Sequence, residues 1–259
     1  MISRARYTAA LKASLTHLLA SCLIAAIAAA LVFGFWYPYP YRELSGGREL
    51  FVLIVAVDVV CGPILTLVVF DRSKSRAELW RDLGFIALLQ LSALGYGLHS
   101  VWEARPLFLV SEIDRFKVIS ALDLRAPSAL QELAGLTPGL QPGFFEGPRT
   151  IAIREPSDAQ ERKTVLFESV QGGRDYAERP NFYLPYEGAN ALKSLTRAKP
   201  LASFLRIRPE QASAAGRLAQ SRKIEIDQLM YLPVVSRKDW IAVLDGEGKI
   251  QGFLEGDGF

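Results

Sequence analysis

The chain has 259 residues, half of them hydrophobic, with 30 Lys and Arg against 27 Asp and Glu for a net charge of +3. A charge this small, without a dense basic run, argues against nucleic acid as a partner. Both cysteines (Cys22, Cys61) and both histidines (His17, His99) fall in the first hundred residues, so the remainder can build neither a disulfide nor a His- or Cys-based metal or catalytic centre.

Arg4, Arg6 and Lys12 precede an apolar run from about Leu15 to Trp36. Leu19-Ala20-Ser21-Cys22 matches a lipoprotein cleavage box. However, Lys12, Thr16 and His17 make a poor signal core before it, and the most apolar part, LIAAIAAALVFGFW, follows Cys22. A signal core is also shorter, about 7–15 residues. The stretch is read as an uncleaved first membrane helix. FWYPYPY, Phe35 to Tyr41, ends it, because aromatics suit the membrane–water interface and Pro38 and Pro40 block further helix.

A short loop with Gly46-Gly47 leads into a second span, Leu50 to Phe70, close to the roughly 20 residues that cross a bilayer. Asp58 and the Gly62-Pro63 break are costly in hydrocarbon and belong against protein, so this span is read as the inner helix. DRSKSRAELWRD follows, carrying Arg72, Lys74, Arg76 and Arg81, and then a third span from about Leu83 to Val101. Lys and Arg accumulate on the cytoplasmic side. Their distribution predicts a cytoplasmic N-terminus and a periplasmic remainder in a bacterial inner membrane. The chain thus divides into a three-span region, 1–102 (spans 15–36, 50–70 and 83–101), and a domain, 103–259.

Asp58 lies roughly 18 Å deep, counting about 1.5 Å per residue. Tyr96 on the third span reaches the same depth and is the predicted hydrogen-bond partner. Ala25, Ala29, Ala93 and Gly97 recur at four-residue spacing and let helices approach closely. Asp58 is open to two readings: a polar clamp inside the three helices, or a contact for another protein's membrane helix. Ion conduction ranks last, since one carboxylate makes no relay. Pro63 leaves the Val59 carbonyl without its helical donor, a kink that sits beside Asp58.

In the domain, Arg105 to Leu124 reads as two short strands, or as one with a break at Glu112 to Asp114, and Pro127 to Gly135 as a short helix. Phe144-Phe145 lies in a Gly/Pro-rich loop, either as an exposed tip or packed back on the domain. Thr150 to Ile153 is a further strand, and Ser157 with Gln160 resembles a capping box opening a helix that Gly172-Gly173 ends. Arg174 to Gly188, rich in Tyr, Phe and Pro, reads as a long irregular loop. Two helices (189–198 and 209–223) and three strands (228–235, 240–245 and 249–254) follow, the last two strands joined by Asp245-Gly246-Glu247-Gly248. The fold class is therefore α+β, a three-helix transmembrane unit followed by a mixed α+β domain.

No phosphate-cradling glycine motif occurs, and carboxylate pairs such as Glu155 and Asp158 are no denser than chance. The chain is read as a non-enzyme without cofactor or metal that acts by binding.

Several short stretches carry a resemblance: Trp36-Tyr37-Pro38, Val57 to Phe70, Arg81-Asp82-Leu83, Leu89-Gln90-Leu91 with Tyr96-Gly97, Arg105-Pro106 and Asp114-Arg115-Phe116. In this order they resemble the type IV pilin accessory proteins, the TfpX/TfpZ family. The resemblance covers about the first half of the chain. It implies an inner-membrane, chaperone-like partner of the major type IV pilin, meeting both its membrane helix and its periplasmic head. Asp58, Pro63, Tyr96, Asp114, Arg115 and Phe116 are the candidate residues, for partner binding or for architecture. The alternative is a sensor-like membrane protein whose periplasmic domain binds a small ligand.

Overall fold

The computed structural model describes residues 4–71 and 73–259, with side chains from Tyr7 onward; the Arg4 and Arg6 side chains and the whole of Arg72, counted among the charges, fall outside that description. The chain forms two compact units, Met1–Pro38 with Gly47–Glu103, and Tyr39–Gly46 with Ala104–Phe259.

In the first unit, α1 (Arg4–Leu31) continues through a wide helical turn at Val32–Trp36. The short α2 (Tyr41–Leu44) belongs to the second unit, and α3 (Gly47–Val69) and α4 (Arg76–Glu103) return to the first. Among the described residues, three helices are long and apolar enough to cross a membrane, at Tyr7–Trp36, Gly47–Val69 and Arg76–Glu103. Each starts before its apolar run, since the charged turn at Arg76, Glu78 and Arg81 is as helical as the span it leads into. Pro63 sits inside α3 without ending it, and both Gly62 and Pro63 are buried. The inner-helix reading holds: α3 packs along both α1 and α4, which scarcely meet one another along their length. They converge at one end, where Trp36 and Trp102 stack edge to face at 4.9 Å and the Tyr37 hydroxyl donates to the Val101 carbonyl at 3.2 Å.

The second unit is built on one mixed sheet. Its strands are β1 (Pro106–Ser111), β2 (Phe116–Ser120), β3 (Arg149–Ile153), β4 (Tyr183–Pro185), β5 (Lys199–Pro200), β6 (Met230–Val235), β7 (Trp240–Leu244) and β8 (Ile250–Glu255). The order is β4-β3-β1-β2-β6-β7-β8, with β5 pairing β6. The β1–β2 hairpin is central and meets a parallel neighbour on each side, β3 and β6. β1 and β7 are buried along their whole length, which is why they read as unbroken apolar runs. The helices are α5 (Pro127–Ala134), α6 (Ala159–Val170), α7 (Ala189–Ser194), α8 (Leu201–Ile207) and α9 (Ala212–Arg222).

Alternation along β7 separates two cores. Ile241 and Val243 face Leu201, Phe204, Ala215 and Ala219 of α8 and α9, while Trp240, Ala242 and Leu244 face the other way. That second face is covered in part by Tyr41 and Leu44, from the segment that joins the first two membrane helices. The Leu44 carbonyl accepts from Lys238 N–H at 3.0 Å and from the Ser236 hydroxyl at 3.1 Å. Tyr39 lies edge-on to Trp240 at 6.4 Å.

Three local expectations shift. The stretch 174–188 winds through two tight turns into β4, with Phe182 and Tyr183 buried, so its aromatics serve the core. α8 was missed because its seven residues fall between two prolines. The α6 cap is Asp158, one residue beyond Ser157: its carboxylate accepts from Glu161 N–H at 2.7 Å. Glu161 takes the reciprocal part, accepting from the Ser157 N–H and hydroxyl and a paired grip from Arg154 at 2.8 and 2.9 Å. The Arg154 guanidinium and then the Ser157 donors hold the Glu161 carboxyl down at about 2, against an ordinary 4.5. Its contribution is therefore complete above pH 4.5 and is lost as pH falls toward 2. Hydrogen exchange at the first turn of α6 should quicken across that window in the natural chain and show no such step in Glu161→Gln.

Candidate functional site

The first unit concentrates its polar side chains where three apolar helices meet. Ser14, His17 and Ser21 recur on one face of α1 at helical spacing. The buried Ser14 hydroxyl donates to the Pro63 carbonyl at 2.7 Å, and His17 Nδ1 shares a 2.5 Å hydrogen bond with the buried Thr66 hydroxyl. The Gly62-Pro63 region is thus held by α1, and Pro63 is a point of helix–helix attachment.

On the other side of α3, Gln90 Nε2 donates to the Asp58 carbonyl at 2.8 Å, while Gln90 Oε1 is buried without a partner. The Asp58 carboxyl is half-buried and forms neither a hydrogen bond nor an ion pair with the described residues. It borders two hollows. One, of about 190 Å³, lies between α1 and α4 and is lined by His17, Ser21, Asp58, Gln90 and Leu91 among others. The second, between α3 and α4, is bordered by Leu53, Asp58, Ala93, Tyr96, Gly97 and Ser100.

Tyr96 is not the partner of Asp58. It borders the same hollow, yet 75% of it is exposed and no hydrogen bond joins the two. Depth counting placed it at the right level, but rise says nothing about rotation. In the antiparallel pair the Gly97 position turns toward Ile54 and Gly62 toward Gln90, leaving Tyr96 about 100° around the helix from the contact line. Gln90 was legible by the argument that singled out Asp58, since an amide inside a span also needs a partner.

In the second unit, Asp114 and Arg115 form the turn between β1 and β2. Arg115 donates to both carboxylate oxygens of Asp114, at 2.8 and 2.9 Å, and lies over the Phe259 ring at 4.9 Å. The Arg115 hydrogen bonds hold the Asp114 carboxyl below its usual range, while burial pushes the neighbouring Glu112 carboxyl up. Phe116 is fully buried against Tyr186, so it holds the core and offers no surface.

Two apolar features stand outward here. Phe144 and Phe145 form an exposed tip, their rings edge to face at 4.7 Å. On α6, Leu166, Phe167 and Val170 are exposed while Val165 is buried. The signal was in the sequence: three successive apolar residues sweep about 200° of a helix, more than one buried face takes. Among the described residues no cluster of His, Cys, Asp and Glu has the arrangement of a metal site.

A profile of the fimbrial assembly protein FimB matches residues 5–46, the first membrane helix and the segment that docks on the sheet. The fimbrial assembly protein of serogroup I from Dichelobacter nodosus is 34% identical over all of this chain and 99% of its own length. The serogroup E1 protein of the same organism is 32% identical over the same shares. The protein of serogroups C1 and C2 is 38% identical over 48% of this chain and 94% of its own length. No solved structure matches. Similarity running from the membrane helices through the last strand shows that the chain belongs to the fimbrial assembly protein family.

Proposed function

We propose that this chain is a non-enzymatic inner-membrane accessory protein that binds the major type IV pilin and stabilises or modulates it before or during pilus assembly. The observation that carries this reading is the full-length similarity to proteins named for fimbrial assembly, in a chain that joins three membrane helices to an α+β unit. A pilin awaiting assembly presents one apolar helix in the bilayer and a head outside it. Gln90 Oε1, buried without a partner, and the unpaired Asp58 carboxyl suit the first, and the exposed apolar residues of α6 suit the second.

The second unit lies in the periplasm and the N-terminus in the cytoplasm. Lys12, Lys74, Arg76 and Arg81 on one side of the spans support this orientation. So does the folding of residues 39–46 into the same unit as 104–259, which requires both on one side of the bilayer. Deleting the gene should lower pilin abundance and surface pili severalfold, with restoration by the full chain. Unchanged pilin and unchanged piliation in the deletion strain would remove the proposal.

A further inference from the structure

Asp58 is residue 12 of the 23 in α3, and Gln90 is residue 15 of the 28 in α4, so both stand at the midpoints of their helices. This is the most apolar depth of a bilayer, where an unsatisfied polar group is most costly. Ser14, Thr66 and His17 Nδ1 use their hydrogen-bonding capacity inside the bundle. The polar groups on the 190 Å³ cavity left without a hydrogen bond among the described residues include the Ser21 hydroxyl of α1, the Asp58 carboxyl of α3 and Gln90 Oε1 of α4. Gln90 Oε1 can only accept, the Asp58 carboxyl offers acceptor oxygens in either protonation state, and lipid tails supply no donor.

The shape narrows the occupant. α3 forms the floor, α1 and α4 form walls that scarcely meet along their length and converge at the Trp36–Trp102 end, and the lining includes the small side chains Ala20, Ala25 and Ala87. Such a cleft is the place of a fourth helix, and small residues let its backbone come close. The cavity itself is too small for a helix and suits one inserted side chain or terminus. We propose that the cleft between α1 and α4 receives the membrane helix of the pilin side-on, with one hydrogen-bond donor of that helix inserted between Asp58 and Gln90. A cationic or neutral N–H or O–H group meets the requirement, and the unpaired carboxyl favours a cation. The proposal rests on the pilin-binding function proposed above and names the site that performs it.

The test places a photo-crosslinking amino acid at Ala20 or Leu91, which line the cleft, and at Leu19 or Leu88, which are exposed elsewhere on the same helices. The full-length chain is expressed in cells together with the major pilin. Pilin adducts should form at the cleft positions and be absent at the other two, with the attachment mapping to the pilin membrane segment. Asp58→Leu should lower adduct per chain about three- to tenfold, the range expected for one interhelical hydrogen bond. Asp58→Asn, which keeps an acceptor oxygen, should lower it less. Ala87→Leu narrows the cavity without touching a polar group and should also lower it, which separates occlusion of the site from loss of the folded chain.

Equal adducts at all four positions, adducts only with lipid or a second copy of this chain, or no effect of Asp58→Leu would overturn the proposal. If the deletion strain loses pili while the cleft yields no pilin adduct, the slot falls and the accessory function stands. If deletion leaves piliation intact, the function itself falls.

Discussion

A fragment of residues 104–259 should melt far below one in which residues 39–46 are joined to it through a flexible linker. The domain visible in the sequence after the third span lacks part of its own core. Leu44 is fully buried and Tyr41 nearly so, both packed with Leu109, Phe116, Leu232, Val234 and Trp240. Truncating a buried Leu costs about 2–5 kcal/mol and a large aromatic about 3–5. Removing both side chains is comparable with the whole stability of an ordinary domain, about 5–15 kcal/mol. The fragment would also expose the apolar patch they cover, an aggregation hazard. Urea melts of the two fragments measure the difference. In the full chain, Leu44→Asp should act the same way, by placing a carboxylate against Trp240 and Leu232. Coincident melts would show that the segment rests on the sheet without stabilising it.

The segment was illegible for a physical reason. Phe35 to Tyr41 reads as one interfacial aromatic belt, yet its members divide. Trp36 and Tyr37 close the membrane unit, while Tyr39 and Tyr41 belong to the sheet. Local sequence records that these rings seek a half-apolar setting and says nothing about which of two surfaces supplies it. The spans themselves were legible, because a run of about twenty apolar residues has few other uses. So was the C-terminal hairpin, where turn chemistry and apolar runs agree, whereas Arg105 to Leu124 allowed two strands or one broken strand, and the pairing of β1 with β2 decides for two. The long aromatic stretch at 174–188 misled because its burial depends on β3, which pairs with β4 from thirty residues away.

At the candidate site, the sequence exposed the problem and hid its partial answer. A carboxyl inside a span is conspicuous at any depth, and the structure leaves the Asp58 carboxyl without a hydrogen bond or ion pair among the described residues. The pairings around it depend on rotation between helices, which periodicity alone does not fix. Ser14 with Pro63, His17 with Thr66 and Gln90 with Asp58 join residues 49, 49 and 32 positions apart. These bonds fasten both α1 and α4 to α3. The cleft between α1 and α4 therefore depends on how closely α4 approaches α3.

That spacing is set by two glycines, and substituting them should have effects of opposite sign to substituting their neighbours. A methyl group at Gly97 would run into the side chain of Ile54, which is β-branched and confined to one rotamer in a helix. Gly97→Ala should then push α3 and α4 apart at a cost of about 1–3 kcal/mol, the usual range for overpacking. At Gly62 the methyl would strike the amide of Gln90, a movable group, so the helices can stay close while the bond to the Asp58 carbonyl breaks. Gly84 and Gly95 have nothing near an added methyl, and Ala there should stabilise α4 by up to about 1 kcal/mol through helix propensity. Unfolding of the full chain from mild detergent into SDS, followed by circular dichroism, ranks the four. Gly97→Ala should unfold at the lowest SDS fraction, Gly62→Ala next, and Gly84→Ala and Gly95→Ala at or above the natural chain. If Gly97→Ala matched Gly95→Ala, α3 and α4 could not be in contact there, and the cleft wall that presents Gln90 to Asp58 would have no fixed position.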